Sequence, residues 1–206
     1  MPPNYKVTRE EIMAAALKIL EEQGKNSITS REIALELGVS TRPIYSFFPS
    51  MDDLLKELTY DALRLLDSFI KTPYTSDPFL NIGVGYLMFG KEHPRVFDLL
   101  QEKYPGIGMD TSGNEFSKEH GERIKSEPFY SIFTDPELDK LFLKMEIFTH
   151  GLMNYFRSGA LDFTKEEIID MLEEMGEAVL MLAVKKKIEK GELLQSDPRL
   201  NIQVTK

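Results

Sequence analysis

Apolar side chains return every three or four residues through most of the chain, and nearly every such stretch opens on a helix-start signal. Thr8-Arg9-Glu10-Glu11 has capping-box spacing, and Ile12, Ala15, Ala16, Ile19 and Leu20 then share one face until Gly24. This predicts a helix from about Arg9 to Gln23. Thr29-Ser30-Arg31-Glu32 repeats the box ahead of Ile33, Ala34 and Leu37, and Gly38 stands where a left-handed C-terminal residue belongs. Ser40 is the expected cap of a third short helix through about Phe47. Pro43 falls in its first turn, where a missing amide hydrogen costs little. Ser50-Met51-Asp52-Asp53 opens a longer helix whose stripe runs from Leu54 and Leu55 to Phe69 and Ile70.

Beyond the turn at 73–78, Asp77-Pro78 and His93-Pro94 start two further helices, expected over Pro78 to about Lys91 and Pro94 to about Gln101. Four glycine or proline residues between Tyr104 and Gly113 argue for a loop, and Phe116 to Lys125 reads as a helix. Thr134-Asp135-Pro136-Glu137 and Thr164-Lys165-Glu166-Glu167 then open two long helices, ending near Gly159 and Gly191. The stretch from Glu192 to Lys206 reads as a polar tail. Strand signals are almost absent, so the expected fold is all-α. A compositional seam near residue 70 separates compact short helices from long ones. The expected domains are a three-helix, helix-turn-helix domain at 1–55, a larger helical domain at 56–191 and the tail at 192–206.

Residues 28–48, ITSREIALELGVSTRPIYSFF, place two short helices around Leu37-Gly38-Val39-Ser40, with Ile33, Ala34, Leu37, Val39, Ile44, Phe47 and Phe48 as candidate core. A tight turn of this kind projects the second helix into a DNA major groove while the first crosses the backbone. Ser40, Thr41, Arg42, Tyr45 and Ser46 are left to face outward. Arg42 is the candidate for a base edge, because a guanidinium can give two hydrogen bonds to guanine; Tyr45, Thr41, Ser40 and Thr29 suit phosphates or a thymine methyl.

Composition sharpens this picture. The 206 residues are 42% hydrophobic and carry 25 Lys plus Arg against 34 Asp plus Glu, a formal charge of -9. A disordered chain and a disulfide scaffold are both excluded, and the absence of cysteine removes thiolate chemistry and Cys-ligated zinc. The acid is unevenly spread: through residue 50, six acidic side chains are balanced by Lys6, Arg9, Lys18, Lys25, Arg31 and Arg42. A locally neutral head on an acidic body disfavours loose binding to arbitrary DNA and leaves matched contacts to decide affinity. Lys6 and Arg9 form a candidate basic arm. With no signal peptide and no apolar run near the length a bilayer needs, a cytoplasmic protein without a membrane partner is expected. His93, His120 and His150 have no metal-ligand spacing, and no GxGxxG, phosphate-loop or GxSxG element occurs. The chain therefore reads as neither an enzyme nor a holder of a metal or cofactor. A helical interaction adaptor or a non-metal helical enzyme is the alternative class.

Residues about 8–58 resemble the DNA-binding domain of the TetR (tetracycline repressor-like) family of transcriptional regulators. The resemblance rests on Ala15-Ala16 through Leu20, Gly24, Ile28-Thr29, Ile33-Ala34, Gly38-Val39-Ser40, Ile44-Tyr45, Phe47-Phe48 and Leu54-Leu55. It implies double-stranded DNA with a palindromic operator as partner, and operator contacts from Lys6, Thr29, Ser40, Thr41, Arg42, Pro43, Tyr45 and Ser46. One position departs from the pattern: the family usually has a lysine where this chain has Met51, so a phosphate contact is missing there unless Lys56 or an arm residue replaces it.

The resemblance also implies a homodimer built on the last two helices, a small-molecule effector held in the larger domain, and repression that the effector relieves. Apolar and aromatic residues over 86–156 are the candidate effector lining: Tyr86, Phe89, Phe97, Phe116, Phe129, Phe133, Met145 and Phe148, with His150 and Asn154 as polar points. The same residue types also build an ordinary helical core. Gly151, Gly176 and Ala178 offer places for close helix packing, and Lys185-Lys186-Lys187 reads as a solvated helix end.

Overall fold

The computed structural model describes residues 7–104, 122 and 124–200, and its described elements are α-helices with two short 3₁₀ turns. In chain order the helices are α1 (Arg9–Gln23), α2 (Ser30–Leu37), α3 (Arg42–Phe47), α4 (Met51–Lys71), α5 (Pro78–Glu92), α6 (Pro94–Lys103), α7 (Asp135–Ser158) and α8 (Lys165–Glu189). No strand occurs among the described residues, as the all-α reading requires. The expected loop after Tyr104 and most of the expected helix over 116–125 lie outside the described residues.

Local chemistry sets most helix ends. Thr8 and Glu11 form the complete capping box of α1: the Glu11 amide donates to Thr8 Oγ1 at 3.2 Å and the Thr8 amide to Glu11 Oε2 at 2.8 Å. At α2 half of the box is made, the Glu32 amide donating to Thr29 Oγ1. Gly38 adopts φ 65°, ψ 32°, and the Val39 amide closes back on the Ala34 carbonyl at 2.9 Å. Glycine is the residue that enters this left-handed turn without a Cβ penalty. The cap of α3 differs from expectation. Thr41 holds the N-cap position, itself in helical conformation and without a side-chain cap bond, and Ser40 lies outside the helix. Ser50 and Asp53 cap α4 reciprocally.

The described residues fall into two compact units. One comprises those within Met1–Asp67 and Glu92–Pro105. Ile12, Ala16, Leu20, Ile33, Ile44, Phe48, Leu54 and Leu58 form its core. Helix α6 belongs here: Val96, Phe97, Leu99 and Leu100 are buried, Arg95 Nη1 donates to the Glu21 carbonyl at 2.9 Å, and the His93 ring lies 2.8 Å from Glu21 Oε1. Phe47, expected in the core, is 38% exposed, and Leu37 and Val39 are only half-buried. Ile44 is the one residue of α3 that is buried.

The second unit comprises the described residues within Ser68–Lys91 and Gly106–Lys206. Helix α5 is buried on almost every side, from Leu80 through Leu87 and again at Phe89 and Gly90. Gly85 makes that possible: a Cβ there would lie 2.5 Å from the Phe69 carbonyl oxygen, so the two backbones touch where any side chain would force them apart. Complete capping boxes at Thr134 and Thr164 open α7 and α8, and Gly159, in the left-handed region, ends α7. Two expectations fail at the far end of α8. Lys187 is not a solvated end residue: it is 8% exposed and places Nζ 2.9 and 2.8 Å from the two Glu137 carboxylate oxygens, 3.5 Å from Glu192 Oε2 and 6.0 Å from the Phe133 ring centroid. The segment after α8 is not wholly polar either, because Leu193 is buried.

Glu137 thus serves two helices, completing the cap of α7 and receiving the ammonium of α8. The Lys187 hydrogen bond first, then the Thr134 amide, hold its carboxyl down from the ordinary 4.5 to about 2. A carboxyl lowered in the folded state contributes stability above its unfolded value and loses it on acidification. Thermal melts of the full chain are expected to fall as pH drops from about 4.5 toward 2, and Glu137→Gln is expected to flatten that part of the profile. An unchanged acid limb in the variant would remove Glu137 from this account.

Candidate nucleic-acid interface

The turn at Gly38 and the burial of Ile44 decide which side of α3 is outward. Around the helix, Arg42 and Ser46 lie opposite Ile44, with Tyr45 on one flank and Pro43 and Phe47 on the other. Thr29, Ser40, Arg42, Tyr45 and Ser46 are exposed, and Thr41 and Pro43 are half-buried; Lys6 lies outside the described residues. These side chains form one polar surface spanning the start of α2 and the whole of α3. Two of its hydroxyls are already committed. Tyr45 donates to Ser30 Oγ at 3.1 Å, which ties α3 to the first turn of α2, and Ser46 donates to the Pro43 carbonyl at 2.6 Å. Ser30 had no motif to mark it, since its role depends on a residue fifteen positions away.

Arg42 supplies the positive charge of α3, and its guanidinium is exposed. The start of α4 offers no replacement for the missing lysine: Met51 is half-buried, Asp52 and Asp53 are exposed, and Asp53 accepts the Ser50 amide and hydroxyl. Lys56, one turn on, is exposed. Arg9 is no loose arm. Its Nε donates to Glu57 Oε1 at 2.9 Å, a second guanidinium nitrogen reaches the other Glu57 oxygen, and the guanidinium carbon sits 4.6 Å from the Phe48 ring centroid.

In the second unit, Tyr86, Phe89, Phe129, Phe133 and Met145 are buried and Phe148 is half-buried. Tyr86 and His150 come together across 64 residues, with the phenol oxygen 3.0 Å from Nε2 and the ring centroids 5.2 Å apart. His150 Nδ1 lies 3.2 Å from the Glu146 carbonyl, which can only accept. Nδ1 therefore carries the proton in the neutral ring, and Nε2 accepts from the Tyr86 hydroxyl. Tyr130 makes the other internal phenol contact, 3.2 Å from Asp77 Oδ2; burial and then that carboxylate raise its ionisation far above the ordinary range. Three expected lining residues are not among these. Phe97 is buried on α6 in the first unit, Asn154 is exposed on α7, and Phe116 lies outside the described residues.

Helices α7 and α8 also carry an exposed apolar surface. Leu143, Ile147 and Tyr155 recur every four or eight residues on α7, with Gly151 between them, and Met181 and Leu182 are exposed on α8. A Cβ on Gly151 would meet nothing within 4 Å. Among the described residues no group of three or more His, Asp or Glu side chains is placed to hold a metal ion, and no helix is long and apolar enough to cross a membrane.

A left-handed turn between two short helices, with Arg42 and Ser46 facing outward on the second, is a helix-turn-helix arrangement. The sequence model of the family described as bacterial regulatory proteins, tetR family, matches residues 12–58, the stretch that contains this unit. Over the longer chain, the fold is similar to a protein of unknown function from Rhodococcus sp. RHA1, with a TM-score of 0.62 and 20% identity over 88% of this chain and 97% of that one. A TetR-like transcriptional regulator from Rhodococcus sp. RHA1 is similar at a TM-score of 0.51, with 14% identity over 81% and 92% of the respective chains. No curated protein matches the chain. The chain therefore has the fold of TetR-like transcriptional regulators, and its helix-turn-helix stretch is similar to the DNA-binding part of that family.

Burial pushes the His150 imidazole below its ordinary 6.5 despite the Glu146 carbonyl. The unfolded chain therefore takes up this proton first as pH falls, so stability is complete above about 6.5 and declines below it. His150→Gln is expected to remove the part of the melting-temperature decline that lies between pH 7 and 5. A decline of the same size in the variant would assign it to another group.

Proposed function

We propose that the protein represses transcription from an inverted-repeat operator and is released by a small apolar or amphipathic effector. The observation that carries the DNA half is the single outward face of α3, with Arg42 opposite buried Ile44 and flanked by Thr41, Pro43, Tyr45 and Ser46. On this reading Arg42 addresses a base edge in the major groove, while Thr29, Ser40 and the Lys6 arm contact the backbone. The functional domains are a DNA-binding segment at 1–55, an effector and dimerisation segment at 56–191 and a short tail. Within the larger segment, Tyr86 and His150 are polar points in a mostly apolar interior, and an effector able to replace their mutual hydrogen bond has a fixed anchor there.

The exposed stripe of Leu143, Ile147 and Tyr155 with Met181 and Leu182 supports a homodimer through α7 and α8, since a monomer would leave it in water. A two-fold pair of reading heads fits half-sites on one face of the duplex. The effector acts only if it binds more tightly to the arrangement of heads that does not fit those half-sites.

Footprinting of DNA recovered with the protein from genomic fragments is expected to show a palindrome contacted as two half-sites. Arg42→Ala is expected to cost about 1–3 kcal/mol of operator affinity and relax the preference at one base pair per half-site, with melting temperature unchanged. Wild-type affinity in the folded variant would remove Arg42 from base reading. Sedimentation at micromolar concentration is expected to give a dimer that Ile147→Glu converts to monomer.

A further inference from the structure

Helix α3 is six residues long, and an isolated helix of that length does not persist in water. Its own side chains do little to orient it: Thr41 makes no cap bond, and only Ile44 is buried. Two contacts with the surroundings set it. Midway along, the Tyr45 hydroxyl reaches Ser30 on α2. At the C-terminal end, the Phe48 amide closes the last turn on the Ile44 carbonyl at 2.9 Å, and the Phe48 ring, 1% exposed, lies beside the Arg9 guanidinium.

We propose that Arg9 is a positioning residue for DNA reading, acting through Phe48 and Glu57 and not through a phosphate. The idea rests on the operator-binding reading and adds to it a residue that never meets the DNA. Arg9 opens α1, Phe48 ends α3 and Glu57 lies on α4, so one planar group joins three helices. A guanidinium can turn one face to a ring while its edge donates to both oxygens of a carboxylate. An ammonium cannot do both, because it is a compact point charge without a flat face. Base-edge contacts by Arg42 depend on the tilt of α3, whereas charge attraction to an arbitrary duplex does not. Loss of Arg9 therefore lowers the preference for the operator more than it lowers affinity for DNA in general.

The test uses full-length Arg9→Met, Arg9→Lys and Glu57→Gln proteins at a temperature where each is folded. Without DNA, hydrogen exchange at the Phe48 amide is expected to accelerate in Arg9→Met. With DNA, operator affinity is expected to fall about tenfold, a change of about 1.4 kcal/mol. Affinity for a random duplex and the salt slope of operator binding are expected to stay as in wild type, and Arg9→Lys to recover only part of the loss. A salt slope lower by about 0.9, with operator and random DNA weakened alike, would make Arg9 a phosphate contact and overturn the proposal. Unchanged exchange at Phe48 would overturn it as well. Should no operator exist, the exchange measurement still decides whether Arg9 holds α3, which separates failure of this inference from failure of the DNA reading. If Arg9→Met melts too low to assay, Glu57→Gln carries the same readouts with the stack retained.

Discussion

A helix of six residues with one buried side chain, as α3 is, cannot hold its own direction, and most of the first unit answers that constraint. Ile44 supplies a single apolar anchor. Gly38 adopts the left-handed turn that lets α3 leave α2 sharply, and Phe48 extends the anchor one residue beyond the helix. Because Ile44 and Phe48 are both buried, Arg42 and Ser46 on the opposite side of the helix face outward. Shortness thus yields an exposed face undiluted by core demands, and the helices around α3 supply the rigidity that it lacks.

The second unit solves a different problem, the burial of polar groups in a largely apolar interior. Tyr86, fully buried, needs a partner for its hydroxyl and finds His150; Tyr130 finds Asp77, which also accepts the Phe79 amide at the start of α5. Asn81, likewise buried, meets the Thr75 backbone and hydroxyl. Each group is satisfied from a neighbouring turn or helix, so the interior carries fixed directions as well as apolar volume.

Charge is divided in a similar way. The first fifty residues are neutral in sum while the whole chain is at -9, and part of the positive charge near the head is consumed internally, by Arg9 on Glu57 and Lys18 on Glu36. Little remains for unspecific attraction to phosphate. With half-buried Met51 and exposed Asp52 and Asp53 there, the start of α4 adds no positive charge to the head.

Helix starts and stops were legible in the sequence because their causes lie within four residues. The capping boxes at Thr8, Thr134 and Thr164, the turn at Gly38 and the end at Gly159 all occur as expected. So was the pattern of α3 that marks a helix-turn-helix. Tertiary structure alone decided which similar residues play which part. Phe47 and Phe48 are adjacent and alike in composition, yet one is exposed and the other buried, because only one faces the groove that Arg9 covers. Lys187 reads like its neighbours Lys185 and Lys186 until Glu137, fifty residues earlier, draws it inward. Arg9 with Glu57 and Tyr86 with His150 meet across 48 and 64 residues. Local spacing cannot encode such pairs in a single sequence: they exist only once the helices have packed, and packing is set by the sum of many apolar contacts, no one of which names its partner.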